Sequence, residues 1–165
     1  MISPSRPRPD TAFVFGDAGH LLAFGFGAGL APVAPGTAGT LVAVPLYLAL
    51  AALPLAAYLV VVTAAFAFGI WLCGRSAAAL GVHDHSGIVW DELVGYWVTM
   101  ALVAPGAWQV VLGFLLFRLF DVWKPWPIGV LDRRVRGGLG IMLDDVLAGV
   151  FAAACLVLVF GLRPV

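Results

Sequence analysis

The sequence predicts an all-α, polytopic membrane bundle of about five spanning helices, preceded by a re-entrant or interfacial element. Three observations predict it. Hydrophobic residues make up 62% of the 165 residues and charged residues only 11%, against roughly 25% charged in a soluble domain. A chain this small cannot hide that much apolar surface from water, so lipid must be part of its solvent. No Asp, Glu, Lys, Arg or His occurs from Leu21 to Gly74, long enough for two spans and a shorter piece at about 20 residues per span. Prolines and glycines then cut the apolar sequence into segments.

Residues 1–17 are polar and proline-rich at first, and read as a disordered cytoplasmic tail. They do not read as a signal peptide, because no short apolar stretch ending in a cleavage-type boundary follows directly. Residues 18–165 read as a single membrane-embedded domain. Leu21–Leu30 is glycine-rich and ends at a Pro-Val-Ala-Pro-Gly turn, which makes it the re-entrant or interfacial element. Thr37 is a candidate N-cap for a span over residues 38–53, with Pro45 inside it as a candidate kink. Pro54 marks a turn, and the second span covers 55–73. A polar loop over 75–87 leads to a third span over 88–103. Pro105-Gly106 turns the chain into the fourth, over 107–120, which Asp121–Lys124 extends until Pro125 and Pro127 stop it. The fifth covers 141–161.

With five spans, the N-terminus, the Arg75 loop and the Lys124–Arg136 loop share one side, and most basic residues with them. That side is expected to be cytoplasmic by the positive-inside rule. The net charge is zero, so nothing in it calls for a nucleic-acid partner. No obligate protein partner is evident either. Cys73 and Cys155 have no metal-site or disulfide spacing and read as small core residues.

The chemistry gathers on the basic side. Asp91-Glu92, Asp121 and Asp144-Asp145 fall near the same ends of three predicted helices. Carboxylates at such depth are costly unless they face a wet cavity or a cation. A hard divalent ion prefers carboxylate oxygens and bridges readily to substrate phosphate. Arg118, Asp121 and Lys124 are three apart and share a helix face. Within each acidic pair, successive side chains point about 100° apart, so one member of a pair is enough to face an ion. The alternative is snorkelling charges and helix caps. Gly36, Thr37 and Thr40 lie in a Pro-Gly-Thr turn at a helix start, where backbone N–H groups can hold an anion. A plain turn with a threonine cap reads equally well there. His83-Asp84-His85 sits in the polar loop, where histidines are more often neither ligand nor base. Ser86 beside His85 leaves a small opening for a nucleophile. Trp90, Trp97, Trp123 and Trp126 fit an interfacial aromatic belt.

Four blocks then carry a resemblance: Gly25–Gly39, His83–Glu92, Phe117–Ile128 and Gly137–Gly149. Together, in this order, the chain closely resembles the bacterial phosphatidylglycerophosphatase A family over nearly its whole length after Asp17. The resemblance implies a Mg²⁺-dependent phosphoric monoester hydrolase of the bacterial inner membrane. Its substrate would be the lipid phosphatidylglycerophosphate, converted to phosphatidylglycerol and inorganic phosphate. The metal ligands would then be Asp91, Glu92, Asp121, Asp144 and Asp145. Asp121, Asp145, Asp91 and Lys124 would be catalytic. Arg118, Arg133, Gly36, Thr37 and Thr40 would bind substrate. The competing reading is a non-catalytic transporter or a scaffold subunit of phospholipid synthesis. A transporter needs ionisable groups near the membrane midplane, and these segments carry none there.

Overall fold

Asp10 and Asp17 start the first two helices. In the computed structural model, which describes residues 9–162, the Asp10 carboxylate accepts from Phe13 N at 2.8 Å and Asp17 from His20 N at 3.0 Å. Each satisfies a backbone N–H that a helix start leaves open. They cap α1 (Thr11–Phe15) and α2 (Ala18–Ala23). Asp17 also pairs with Arg75 through both guanidinium nitrogens, at 2.6 and 2.9 Å. The His20 ring meets the Ser76 hydroxyl at 3.0 Å and stacks on Phe13. Residues 9–17, expected to be disordered, are thus held onto a later helix; residues 1–8 lie outside the described residues.

A 3₁₀ stretch, Gly25–Leu30, follows and breaks at Phe26 and Gly27, both at positive φ. It leads to α3 (Pro35–Leu50), α4 (Leu55–Ala79), α5 (Trp90–Met100), α6 (Ala107–Trp123), α7 (Ile128–Arg134) and α8 (Gly137–Phe160). No strand occurs among the described residues. Pro35, not Thr37, sets the start of α3: it occupies the first helical turn, where a missing N–H costs nothing. Residues 75–79, expected in a loop, continue α4.

Among the described residues two helices, α4 and α8, are long and apolar enough to cross a membrane. Their outer faces carry Val60, Trp71 and Leu158, all more than half exposed, which suggests membrane association. The helices α3, α6 and α5 have 16, 17 and 11 residues, below the roughly 20 that a full hydrocarbon core requires.

The short α5 is the centre of the fold. It packs against α3, α4, α6 and α8, and Leu93, Val94, Gly95, Tyr96 and Trp97 are all buried. Its aromatic residues, and aromatic residues that reach it, donate to helix carbonyls. Trp90 donates to Ala65 O at 3.1 Å, Trp97 to Ala43 O at 3.1 Å and Tyr96 to Val110 O at 3.2 Å. Tyr58 donates back to Trp97 O at 2.6 Å. Trp90 and Trp97 are therefore interior ties rather than members of an interfacial belt, whereas Trp123 and Trp126 are 68% and 81% exposed. Glycine lets α5 meet α8: a side chain at Gly149 would run into the Gly95 carbonyl, the close approach that small residues permit between membrane helices. Cys73 is buried against Met142, Cys155 is half-buried, and both are free thiols.

Candidate active site

Asp91 and Glu92 occupy the first turn of α5, where the helix dipole favours negative charge. The preceding residue, Val89, donates its N–H to Ala23 O at 2.8 Å. This tie fixes where α5 begins relative to the N-terminal helices. Asp121 lies in the last turn of α6 and is buried. Asp144 and Asp145 do not start a helix as expected. The helix begins at Gly137, so they sit about two turns inside α8, beyond the reach of its terminal dipole.

The carboxylates sort themselves by partner. Asp91, Glu92 and Asp145 offer ligand atoms that all lie within 4.8 Å of one another. Each also has one buried oxygen (Asp91 Oδ1, Glu92 Oε2 and Asp145 Oδ2) that meets no hydrogen-bond donor. Buried carboxylate oxygens without donors carry a large desolvation cost. A hard divalent cation satisfies such a set directly, so these residues fit a metal such as Mg²⁺. Asp121 instead pairs with Arg118, whose guanidinium also lies 3.8 Å from Glu92. Asp121 remains within electrostatic reach of Glu92 and Asp145. Asp144 turns Oδ2 to Lys124, which also holds Asp132, at 2.6 and 2.8 Å, while its Oδ1 is buried without a donor and it lies outside the group of three.

The turn before α3 closes one side. Gly36 is buried, and a Cβ there would strike Glu92 Oε1 and come within 3.1 Å of Arg118 Nη1. The first turn of α3 is thus set against the Arg118–Glu92 pair. Thr37, in that turn, is half-buried. The Thr40 hydroxyl donates to Gly36 O at 2.9 Å, which commits its one O–H to the helix. Arg133 is exposed on α7, with its guanidinium beside Gly129. No ion pair joins it to the carboxylates among the described residues.

With three helix ends and the interior of α8 bringing acid, base and a helix start together, comparison with known proteins decides the family. The model of the phosphatidylglycerophosphatase A family matches residues 21–160. The chain belongs to the phosphatidylglycerophosphatase A family. It is 49% identical over 138 residues to phosphatidylglycerophosphatase A of Escherichia coli, covering 83% of this chain and 80% of that protein. It is 43% identical over 146 residues to phosphatidylglycerophosphatase A of Haemophilus influenzae, covering 87% and 88%. A Bacteroides thetaiotaomicron protein provisionally named as a phosphatidylinositol-3-phosphatase is 41% identical over 141 residues, covering 80% and 87%. No solved structure matches. The matched region of the phosphatidylglycerophosphatase A family contains every residue of the acidic group and both of its cations.

Sequence reasoning missed three partners. Asp132, the second anchor of Lys124, stands eight residues away across two prolines, a separation with no helical period. The Asp17–Arg75 and His20–Ser76 contacts join residues more than fifty apart, and only their polarity marks them in the sequence. His83 and Ser86 are exposed, while His85 accepts from Gly87 N at 3.0 Å.

Proposed function

We propose that this protein hydrolyses the terminal phosphate of phosphatidylglycerophosphate to phosphatidylglycerol and inorganic phosphate, with Mg²⁺, at the cytoplasmic face of a bacterial inner membrane. The observation that carries the reading is the convergence of Asp91, Glu92 and Asp145, each with a donorless buried oxygen, beside the Arg118 guanidinium. The family relatives named for this reaction supply the substrate. The chain's two long apolar helices agree with a lipid partner. The basic residues near the same helix ends favour a multi-pass topology with the site facing the cytoplasm.

Asp91, Glu92 and Asp145 would hold the cation. When bound, it supplies neutralisation of phosphoryl charge and acidification of a water. Everything else falls to the protein's own groups. Arg118 has five donors in a planar fork, and its pairing with Asp121 and Glu92 leaves donors for a phosphate oxygen. Asp121 fixes the direction of that fork from one helical turn away. The first-turn N–H groups of α3, around Gly36 and Thr37, lack acceptors four residues earlier in the helix and favour an anion. Lys124 acts one step back: clamped by Asp132 and Asp144, it balances the charge of Asp144 next to the metal ligand Asp145. Charge that develops during phosphoryl transfer thus meets fixed cations and dipoles.

The decisive experiment is phosphate release from phosphatidylglycerophosphate by purified protein, with Mg²⁺ and with Mg²⁺ removed by chelation. Release that depends on Mg²⁺ is expected. Equal release with chelator would remove the metal from the reading, and no release under either condition would remove the activity.

A further inference from the structure

The cations of the described residues fall into two groups. Arg75, Arg118 and Lys124 are each held in ion pairs, by Asp17, by Glu92 and Asp121, and by Asp132 and Asp144. Arg133, Arg134 and Arg136 are exposed, at the end of α7 and the start of α8. The chain has nine acidic side chains, all within residues 9–162, and none of them pairs with these three arginines among the described residues. Asp132, the nearest in sequence, is committed to Lys124. The same clamp holds α7 in place. Lys124 ties it through Asp132 to α8 through Asp144, and Ile128 is buried beneath it. Unpaired positive charge is thus displayed on a fixed surface.

Apolar surface adjoins it. Leu115, Leu119 and Val122 are exposed in steps of four and three along one face of α6. The stripe ends at two exposed indoles, Trp123 at the end of α6 and Trp126 in the turn before α7. The seven residues of α7 extend for only about 10 Å. Arg133 reaches back along them: its Nη1 would lie 3.5 Å from a Cβ at Gly129, three residues after Trp126. Water suits the arginines but not the indoles. Hydrocarbon suits the α6 stripe but not the arginines. The headgroup layer suits all of them, because aromatic rings settle there and anionic headgroups attract basic side chains next to a membrane helix. We propose that Trp123, Trp126, Arg133, Arg134 and Arg136 form a docking surface for the headgroups of anionic lipids in the bilayer. The inference rests on the membrane location in the reading above and not on the reaction. It moves Arg133 from the reacting phosphate, where the sequence placed it, to a surface that gathers anionic lipid around the protein.

The test uses the full chain reconstituted in phosphatidylcholine vesicles with a trace of spin-labelled lipid. Electron paramagnetic resonance reads the fraction of label immobilised on the protein, for labelled phosphatidylserine and for labelled phosphatidylcholine. Phosphatidylserine is anionic but carries no terminal phosphate, so the proposed reaction does not consume it. One cation near an anionic headgroup is worth about a fivefold gain in association. Wild-type protein is expected to prefer phosphatidylserine by about that factor at low salt, and to approach parity as salt screens the charges. The double variant Arg134→Gln/Arg136→Gln is expected to lie near parity already at low salt, and Arg134→Lys/Arg136→Lys to keep the preference. Should the glutamine double variant not insert, the two single variants carry the test, each losing part of the preference. Parity in the wild type overturns the docking surface, and so does a preference that the glutamine variants retain in full. A change of oligomeric state in the glutamine variant by light scattering in detergent, with the wild type at parity, would give the surface to a second copy of the chain and overturn the proposal as well. Wild-type protein that releases no phosphate from phosphatidylglycerophosphate is a different result: it refutes the proposed reaction and leaves this surface standing.

Discussion

Asp144 and Asp145 are chain neighbours with different work. One is held through Oδ2 by Lys124, and the other lies at ligand distance from Asp91 and Glu92; each keeps a second, buried oxygen that no donor reaches. Asp145→Asn keeps the volume and much of the hydrogen bonding but weakens a hard-metal ligand. It is expected to fold and to lose on the order of a hundredfold or more in Mg²⁺-dependent turnover. Asp10→Asn is the control, because asparagine caps a helix as well as aspartate does. Asp145→Asn protein that folds and turns over at the wild-type rate with saturating Mg²⁺ would make Asp145 a structural residue. Much of this was legible in the sequence, since carboxylates are expensive in an apolar chain and so announce themselves. The division of labour was not. Lys124 has a left-handed backbone at φ 46°, and no pattern of spacing reveals that it reaches Asp132 and Asp144 rather than Asp91, Glu92 and Asp145. Nor does spacing show that the Thr40 hydroxyl donates to Gly36 O, because a threonine in the first turns of a helix can turn either way.

Among the elements, α2 and α5 depart furthest from expectation, and each departure can be tested. The docking of α2 on α4 includes the His20–Ser76 contact. Burial pushes the His20 imidazole below its usual value; the nearby Arg75 adds to this and Asp17 opposes it. The native state therefore binds fewer protons than the unfolded state just below the unfolded value of about 6.5. Stability from this contact is present above that pH and declines as pH falls through the window beneath it. Thermal unfolding in detergent is expected to show Tm falling between pH 7 and pH 5.5, with a shallower slope in His20→Gln. Identical slopes would exclude the histidine as the source. For α5, apolar composition predicted a helix over 88–103, whereas the helix is 11 residues long. Composition cannot separate a helix that faces lipid from one enclosed by its neighbours. The aromatic donors to carbonyls on α3, α4 and α6 make it the latter. Gly149→Leu should separate α5 from α8 at the cost of about 1–3 kcal/mol, typical of overpacking. It is expected to lower Tm and turnover together, unlike Asp145→Asn. An unaltered Tm would mean that α8 can shift to admit the side chain without loss.

At the level of the whole molecule, the distribution of basic residues predicts a direction for the topology. A reporter fused before Met1 should report cytoplasm, and one fused after Val165 the opposite side, as an odd number of crossings requires. Both ends on one side would overturn the five-span arrangement. The helical class, the order of the segments and the two turns at Pro54 and Pro105 were readable because apolar length and proline position are local properties. The centrality of α5, and the return of the N-terminal helices to Arg75, are long-range facts that a single sequence does not display. The separation of the carboxylates along the chain also has a consequence in time. Asp91 and Glu92 open α5, whereas Asp145 lies in α8, which touches α4, α5, α6 and α7. A ribosome that has made Gly36, Glu92 and Arg118 has not yet made Asp145, so the carboxylate group closes only once α8 has been synthesised and has docked against helices made before it.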